Sequence, residues 1–477
     1  MKFTSQAFKQ QAVAALANTG LQKALRKAKD GFILKRQAAL DALPEFEQLR
    51  ARAIEIKQHT LSHLDAYLSY FEQQVINSGG QVHWASTPAQ AQHIIIEICK
   101  GKQARTITKG KTMVGEEASL NEALQAAGFE TIETDLGEYI IQLAGEPPSH
   151  IIAPAVHKSK QQIADLFKAH HKQYQFNSEL DTIPEIVDEA RKVLRNKFIQ
   201  ADVGITGANF LIAETGSTVI VTNEGNGDLT ATLPKTHIVM ASVEKVVPTL
   251  EDTAVLLRLL GRSATGQEIT SYTTFFNGPK RSADLDGPEE FHVVLLDNGR
   301  SDMLSNEYHD MLRCLHCGAC LNHCPVYNAI GGHAYGWVYP GPMGAVLTPL
   351  IQGLQMSGDL PFASSFCGRC EEVCPVSIPL PQLLRQHRVH AHEQKINSTR
   401  SRLGLALWAL FARHPGLYRP AIKLMTALLG WKGKRSGRFS YLPFAGGWIQ
   451  SKDMPAPSGQ SFVSAWNKQH HTKGVTR

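Results

Sequence analysis

Seven of the eight cysteines lie between positions 314 and 374, and their spacing carries the most specific chemistry in the chain. The first run is Cys314-x2-Cys317-x2-Cys320-x3-Cys324-Pro325, and the second is Cys367-x2-Cys370-x3-Cys374-Pro375. Three thiolates at x2 spacing sit on one tight loop and reach three corners of a single cubane. The cysteine three residues further on enters a turn and, in two-cluster ferredoxins, ligates the other cluster. The expected ligand sets are therefore Cys314, Cys317, Cys320 and Cys374 for cluster 1, and Cys324, Cys367 and Cys370 for cluster 2, both of the 4Fe-4S type. Cluster 2 is one cysteine short, and the position where its missing ligand would stand is Ser364. Three outcomes stay open: a three-iron cluster, a four-iron cluster completed by Ser364, water or another group, or a fourth iron open to a substrate or partner. A four-iron cluster with a non-cysteine ligand is favoured slightly over a three-iron one. Structural zinc, the rival, uses paired C-x2-C knuckles, but seven cysteines in C-x2-C-x2-C-x3-C-P phase fit iron–sulfur far better. The gap of 43 positions from Cys324 to Cys367 suits a helical ferredoxin domain with helices between the runs.

Other reactive residue types read more plainly. Cys99 closes the apolar run Ile94-Ile95-Ile96 and is expected as a buried strand cysteine. His316 and His323 flank cluster ligands; they are expected as exposed loop histidines, with tuning of cluster potential or carrying of protons as the alternative. His387, His390 and His392 fall on one predicted helix with no cysteine or carboxylate cluster beside them, and are read as surface residues. Lys109-Gly110-Lys111-Thr112 mimics the end of a phosphate loop, but Arg105 stands where the leading glycine is required, which excludes a P-loop NTPase. No G-x-G-x-x-G dinucleotide fingerprint occurs.

These residues need a scaffold, and 477 residues allow about three domains at ~150 residues each. Apolar residues make up 43% and charged residues 19%, which suits a globular chain. The net charge of +6 is not gathered into a nucleic-acid patch; the local basic clusters, Lys23 to Lys35 and Lys423 to Arg438, read first as solvated helix faces and second, for the latter, as a docking surface for acidic lipid or an acidic partner. The N-terminal segment lacks the apolar core of a signal peptide, and no run of ~18 apolar residues occurs. The chain is expected to be cytoplasmic, with peripheral attachment to the inner face of the membrane as an option. Eight cysteines in a reducing compartment then speak for metal and against disulfides.

Residues 1–65 read as an N-terminal helical segment, with a long helical pattern from Phe46 to Val75 stopped at Ser78-Gly79-Gly80. Over 66–300 the texture is α/β. Strands are expected at Val82 to Trp84, Thr106 to Thr108, Phe129 to Thr134, Ser149 to Ala153, Val203 to Ile205, Phe210 to Ala213, Val219 to Val221 and His237 to Ala241, in a largely parallel sheet. Over 301–395 the strands disappear: Gly331 to Pro349 reads as a structured loop and Pro379 to Lys395 as a helix. The tail, 396–477, has two amphipathic helices, Leu403 to Phe411 and Pro420 to Leu429, and a Pro/Ser/Gly-rich close around Met454 to Gln460.

Within the α/β region, Lys109 to Asn121, Glu133 to Tyr139 and Thr206 to Asn226 place glycines, asparagines and carboxylates at strand ends, as a ligand crevice at the carboxyl edge of a parallel sheet requires. A tight turn over Asn223 to Gly227 is the plain alternative. The stretches Glu133 to Leu143, Gly207 to Gly216, Glu244 to Thr249 and Arg262 to Gln267 resemble the lactate-utilisation (LUD) domain. With both cysteine runs and the tail, the whole chain resembles the iron–sulfur B subunit family of bacterial L-lactate utilisation. That resemblance implies an LUD domain, similar to sugar-phosphate isomerases and CoA transferases, fused to an all-α helical ferredoxin domain. It implies work with two partners, a cysteine-rich iron–sulfur oxidoreductase subunit and a small LUD protein, in oxidising L-lactate to pyruvate. The late start of the second run, at Ser364, fits the family pattern. No catalytic residue is carried over from the resemblance.

Lactate oxidation releases two electrons, and each cubane passes one at a time, so a flavin or unusual redox centre must split the pair. With no nucleotide fingerprint in this chain, that centre is expected on a partner. This chain is left the role of a relay to a downstream acceptor such as quinone, with the tail helices docking to partners or the membrane surface. A second hypothesis makes the LUD domain itself catalytic, with Glu116, Glu117, Asp135, Glu138 and Asn223 lining a hydroxy-acid pocket. A third is an iron–sulfur sensor or scaffold without turnover. Another 2-hydroxy acid, such as glycolate, remains open as substrate.

Overall fold

The computed structural model describes residues 3–174, 179–442, 449 and 453–472. Two compact units emerge, Met1–Ala391 and His392–Arg477. The segments read separately from sequence as 1–65 and 66–300 thus share the first unit with the 301–395 segment as far as Ala391, and the last four residues of that segment fall in the second unit.

At its centre is a six-stranded, all-parallel sheet in the order β1-β10-β7-β4-β2-β3. The strands are β1 Gln81–Ala85, β2 Thr106–Lys109, β3 Glu130–Glu133, β4 Val203–Thr206, β7 Thr236–Ser242 and β10 Glu290–Leu296. All of β4 and β7 is buried, because crossover helices cover both faces. One covering helix, Pro88–Gly101, starts at the Thr87 cap with proline in its first turn and buries Ala91, Ile95 and Cys99 at i, i+4 spacing. Cys99 is therefore a buried helix residue; the expected strand fails because the run has helical period.

A second sheet, β8-β5-β6-β9, departs from the expected alternation. The strands are β5 Phe210–Ile212, β6 Ser217–Thr222, β8 Val246–Val247 and β9 Tyr272–Phe276. Phe210 to Ala213 and Val219 to Val221 belong to an antiparallel hairpin, not to the parallel series. The hairpin turns at Gly216, whose φ is +68° and where a Cβ would stand 2.6 Å from the backbone of Gln74. Ser149 to Ala153 forms no strand. The His150 ring Nδ1 accepts from the backbone N–H groups of Ile152 and Ala153 at 3.0 and 3.1 Å, which occupies donors a ladder would need.

The expected single helix from Phe46 is broken at His63 into Phe46–Ser62 and Leu64–Asn77. Among the described residues from 301 to 391 all regular structure is helical. Gly331 to Pro349 is not only loop: Gly341–Gln352 is a helix, begun by Pro342 in its first turn, where a missing N–H costs nothing. The largest core joins the N-terminal helices, the second sheet and the cysteine-bearing helices; Phe8, Ile56, Phe210, Leu256, Leu321 and Tyr335 all belong to it. Shared apolar burial is why these segments form one unit.

The second unit holds helices Thr399–Arg413, Pro415–Gly433 and Phe462–Thr472. Leu403, Trp408, Leu424 and Trp431 on the first two are exposed. Among the described residues no helix is long and apolar enough to cross a membrane.

Candidate metal centre and adjoining crevice

The two cysteine runs fold as near copies. In the first, His316 at φ +54° and Gly318 at φ +73° bend the chain around Cys317. The one-turn helix Ala319–Asn322 then carries Cys320, and Cys324 caps helix Pro325–Ile330. In the second, Phe366 at φ +54° and Gly368 at φ +79° bend the chain around Cys367, and helix Arg369–Glu372 carries Cys370. Backbone N–H groups point at the sulfurs: His316 to Cys314 at 3.4 Å, Tyr327 to Cys324 at 3.5 Å and Ile378 to Cys374 at 3.5 Å.

Cys314, Cys317, Cys320 and Cys374 line one small cavity, closed by Ile151, Met343 and Ile378. Burial pushes the Cys317 thiol up to about 12, with Cys374 and Cys314 adding to the rise. Burial likewise pushes Cys370 up to about 12, but here the added push comes from Cys324 and Cys367. The seven sulfurs thus fall into a group of four and a group of three. Cys320 feels members of both, since Cys314, Cys317, Cys370 and Cys374 all raise it beyond the effect of burial.

This donor set fits cubane clusters and not zinc. A tetrahedral zinc ion with Zn–S near 2.3 Å draws its sulfurs to within about 3.8 Å of one another. Among the described residues, the one trio of ligand atoms lying within 4.8 Å of each other is Glu146, His157 and His333. Among the described residues no three cysteine sulfurs are so close, as the wider corners of a cubane require. Cations surround the loops. Arg36 donates to the Val373 carbonyl at 3.0 Å, Arg50 to the Cys374 carbonyl at 2.9 Å, and Arg313 to the Ser377 carbonyl at 3.3 Å. They hold the second loop in place and offset the negative charge that thiolate ligation brings.

Several histidine readings are corrected. His316 is not an exposed loop residue: burial, then the Lys245 ammonium, hold its pKa well below the usual value, and Lys245 donates to its Nδ1 at 2.8 Å. His323 is half-buried, and burial lowers it to about 4. His387 is buried and stacked on Tyr308 at 4.5 Å, because it shares a helix face with Leu383 and Ala391. Half-buried His390 meets the same Tyr308 hydroxyl, which leaves His392 alone as an exposed surface residue.

A crevice of about 210 Å³ opens at the carboxyl ends of β2, β4 and β7. Its floor depends on Gly207, where a Cβ would stand 2.9 Å from Thr112 and 3.0 Å from the Lys111 carbonyl. Lys111, Asp135, Asn209, Asn223, Glu224 and Lys245 supply its polar lining, while His316, Tyr339 and Ile151 close it. Ile151 and His316 also line the cavity of the four sulfurs, so crevice and cysteine loop share a wall. Asn223 is both turn and lining residue: its Oδ1 accepts from Gln267 at 3.0 Å, and Gly225 at φ +69° starts the helix Asn226–Thr232.

Of the five residues expected to share a hydroxy-acid pocket, only Asp135 and Asn223 do. Glu116 and Glu138 face a different cleft, where the buried Lys109 ammonium holds Glu116 at 2.8 Å and Glu133 at 2.7 Å. Glu117 is spent on a buried network, paired with Arg300 at 2.7 Å and accepting from the Tyr339 hydroxyl at 2.7 Å. Arg300 also pairs with Glu244 at 2.8 Å, whose backbone carbonyl accepts from the Lys57 ammonium at 2.5 Å. Sequence reasoning missed Lys245, Arg300 and Tyr339. The Glu244 to Thr249 stretch was the one signal pointing towards them.

Two family descriptions match the chain: the LUD domain over residues 68–296 and the 4Fe-4S dicluster domain over residues 310–378. The chain is 43% identical to lactate utilization protein B of Shouchella clausii, over 100% of this chain and 99% of that one. It is 41% identical to the uncharacterized electron transport protein YkgF of Escherichia coli, over 95% and 94%. Among solved structures it matches a DUF162 family protein of Deinococcus radiodurans at 13% identity and a TM-score of 0.28, over 49% of this chain and 98% of that one.

Proposed function

The chain belongs to the lactate utilization protein B family, and on that premise we propose that it is the iron–sulfur electron-transfer subunit of a multi-protein system oxidising L-lactate to pyruvate. The observation that carries this reading is the partition of the cysteines. Cys314, Cys317, Cys320 and Cys374 surround one cavity and are assigned to the first 4Fe-4S cluster. Cys324, Cys367 and Cys370 interact with one another and are assigned to the second. When bound, such clusters supply one-electron transfer.

The chain's own residues set the conditions for that chemistry. Backbone N–H groups aimed at Cys314, Cys324 and Cys374 stabilise the thiolates, a recognised lever on cluster potential. Arg36 and Arg50 pin the second loop through its carbonyls. Exposed Cys367 turns the second group to the solvent side, where a partner can approach. The partners that fit this role are a cysteine-rich iron–sulfur subunit that splits the electron pair, a small LUD protein and a quinone-linked acceptor. The exposed apolar residues of the tail helices suit docking to them or to the membrane surface.

The test is anaerobic purification with iron and sulfide counting and EPR before and after reduction. About eight irons per chain with two reduced cubane signals are expected; zinc without iron would overturn the assignment. Mixing the loaded chain with its partners and L-lactate or glycolate then identifies the substrate by which one reduces the chain.

A second reading, binding of the hydroxy acid by this chain's own LUD crevice, is favoured by the wall that crevice and cysteine cavity share, Ile151 and His316. Calorimetric titration of the loaded chain with L-lactate tests it, and absence of heat sends the substrate to a partner.

A further inference from the structure

The second cysteine group has three sulfurs, and the fold prepares a fourth protein ligand for it. The positions Ser364, Cys367, Cys370 and Cys374 repeat the spacing of Cys314, Cys317, Cys320 and Cys324. The backbone repeats with them. The residue two beyond the first position is left-handed in both loops, His316 and Phe366 each at φ +54°, and the residue four beyond is a left-handed glycine, Gly318 at +73° and Gly368 at +79°. The short helices start and stop at equivalent places, Ala319–Asn322 and Arg369–Glu372.

The side chain at the first position is used alike. His316 N–H donates to Cys314 Sγ at 3.4 Å, and Phe366 N–H donates to Ser364 Oγ at 3.1 Å. The shorter distance is what oxygen in place of sulfur gives. Ser364 Oγ thus stands where a ligating sulfur stands in the sister loop, with the same backbone donor on it. The loop is also held from outside. Arg388 donates to the Pro361 carbonyl at 2.9 Å and the Ser364 carbonyl at 3.4 Å, and its guanidinium lies over the Phe366 ring at 4.1 Å.

We infer that Ser364 Oγ is the fourth protein ligand of the second cluster. The inference rests on the two-cluster reading above. Forming the oxygen–iron bond releases the hydroxyl proton to solvent, so the ligand is an alkoxide and no electron is transferred. An alkoxide is a harder, more strongly donating ligand than a thiolate and favours the oxidised cluster. It therefore sets a lower potential than cysteine would at that place.

The test compares wild type, Ser364→Ala and Ser364→Cys, each purified anaerobically as the full chain. Iron is counted, oxidised and reduced EPR spectra are recorded, and the midpoint potential of each centre is titrated. The expected result is about eight irons in wild type and in Ser364→Cys, and loss of one iron with an oxidised three-iron signal in Ser364→Ala. The midpoint potential of one centre moves upward in Ser364→Cys while the other stays put. Circular dichroism and the unchanged signal of the first cluster show that both variants are folded.

Ser364→Ala with wild-type iron, spectra and potentials would leave Ser364 as a turn residue only and overturn the inference. So would about seven irons with a three-iron signal already in wild type, which leaves no fourth iron to hold. Both outcomes keep the two clusters; a chain without iron would instead sink the reading on which the inference rests.

Discussion

The two cysteine loops share a backbone and differ in everything packed around it. The first is walled in. Gly318 lies against His150, Ile151 and Ile152 of the α/β region, His316 is tied to Lys245, and Cys317 and Cys320 are buried. The second is open. Nothing lies within 4 Å of where a Cβ on Gly368 would stand, Cys367 is exposed, and Ser364 takes the place of a cysteine. A repeated motif thus fixes local geometry, while the packing decides which copy faces the interior and which faces solvent.

The comparison breaks most directly at the sulfurs. Cys317→Ala is expected to lose the first cluster, about four of about eight irons, and to lower the melting temperature because its cavity sits inside the main core. Cys367→Ala is expected to lose iron from the exposed group with little change in melting. Equal destabilisation by both, read by iron assay and calorimetry, would mean that the loops do not differ in structural weight.

The next largest effect lies behind the first loop. Arg300→Met strands the buried carboxylates of Glu117 and Glu244, and leaving a buried ion pair broken costs about 3–5 kcal/mol. Chemical denaturation measures it. The same variant shifts acid stability. Burial would raise the Glu244 carboxyl, but Arg300, then Lys245, hold it at about 2. Its contribution is therefore complete above the ordinary carboxylate range and is lost as pH falls towards 2. Without Arg300 that loss is expected to begin at a higher pH, visible as an earlier acid limb in a melting-temperature profile.

The glycines sharpen the contrast. Alanine at either Gly318 or Gly368 adopts a left-handed conformation at a cost of roughly 1–2 kcal/mol. Gly318→Ala also presses on Ile152 at 3.3 Å and His150 at 3.4 Å, so it is expected to destabilise more. Equal melting shifts for the two would show that the wall yields. Smallest is Arg388→Ala, which removes the cation over Phe366, worth about 0.5–1 kcal/mol. It is expected to speed hydrogen exchange over 361–370 and leave 314–320 unchanged.

The cysteine loops were legible in the sequence because each is set by local spacing, the first within the eleven positions from Cys314 to Cys324. The carboxyl edge of the parallel sheet was legible for a similar reason: glycines and asparagines announce strand ends, and Asp135, Asn209 and Asn223 do line the crevice. What was not legible depends on distant partners. His316 looks like a loop histidine until Lys245 reaches it and Ile151 walls the same cavities. Glu117 looks like a pocket carboxylate until Arg300, 183 positions away, claims it. The β5–β6 hairpin reads in the sequence as two members of a parallel series because short apolar strands carry no mark of direction.

The clasp of the N-terminal helices on the second loop has a consequence for biogenesis. Arg36 and Arg50 reach carbonyls 337 and 324 positions further along the chain. At ~5–20 residues per second, the ribosome delivers those carbonyls roughly 15–70 s after the arginines. During co-translational folding the clasp therefore waits open until the second cysteine loop has been made, which leaves that loop accessible for cluster insertion over the interval.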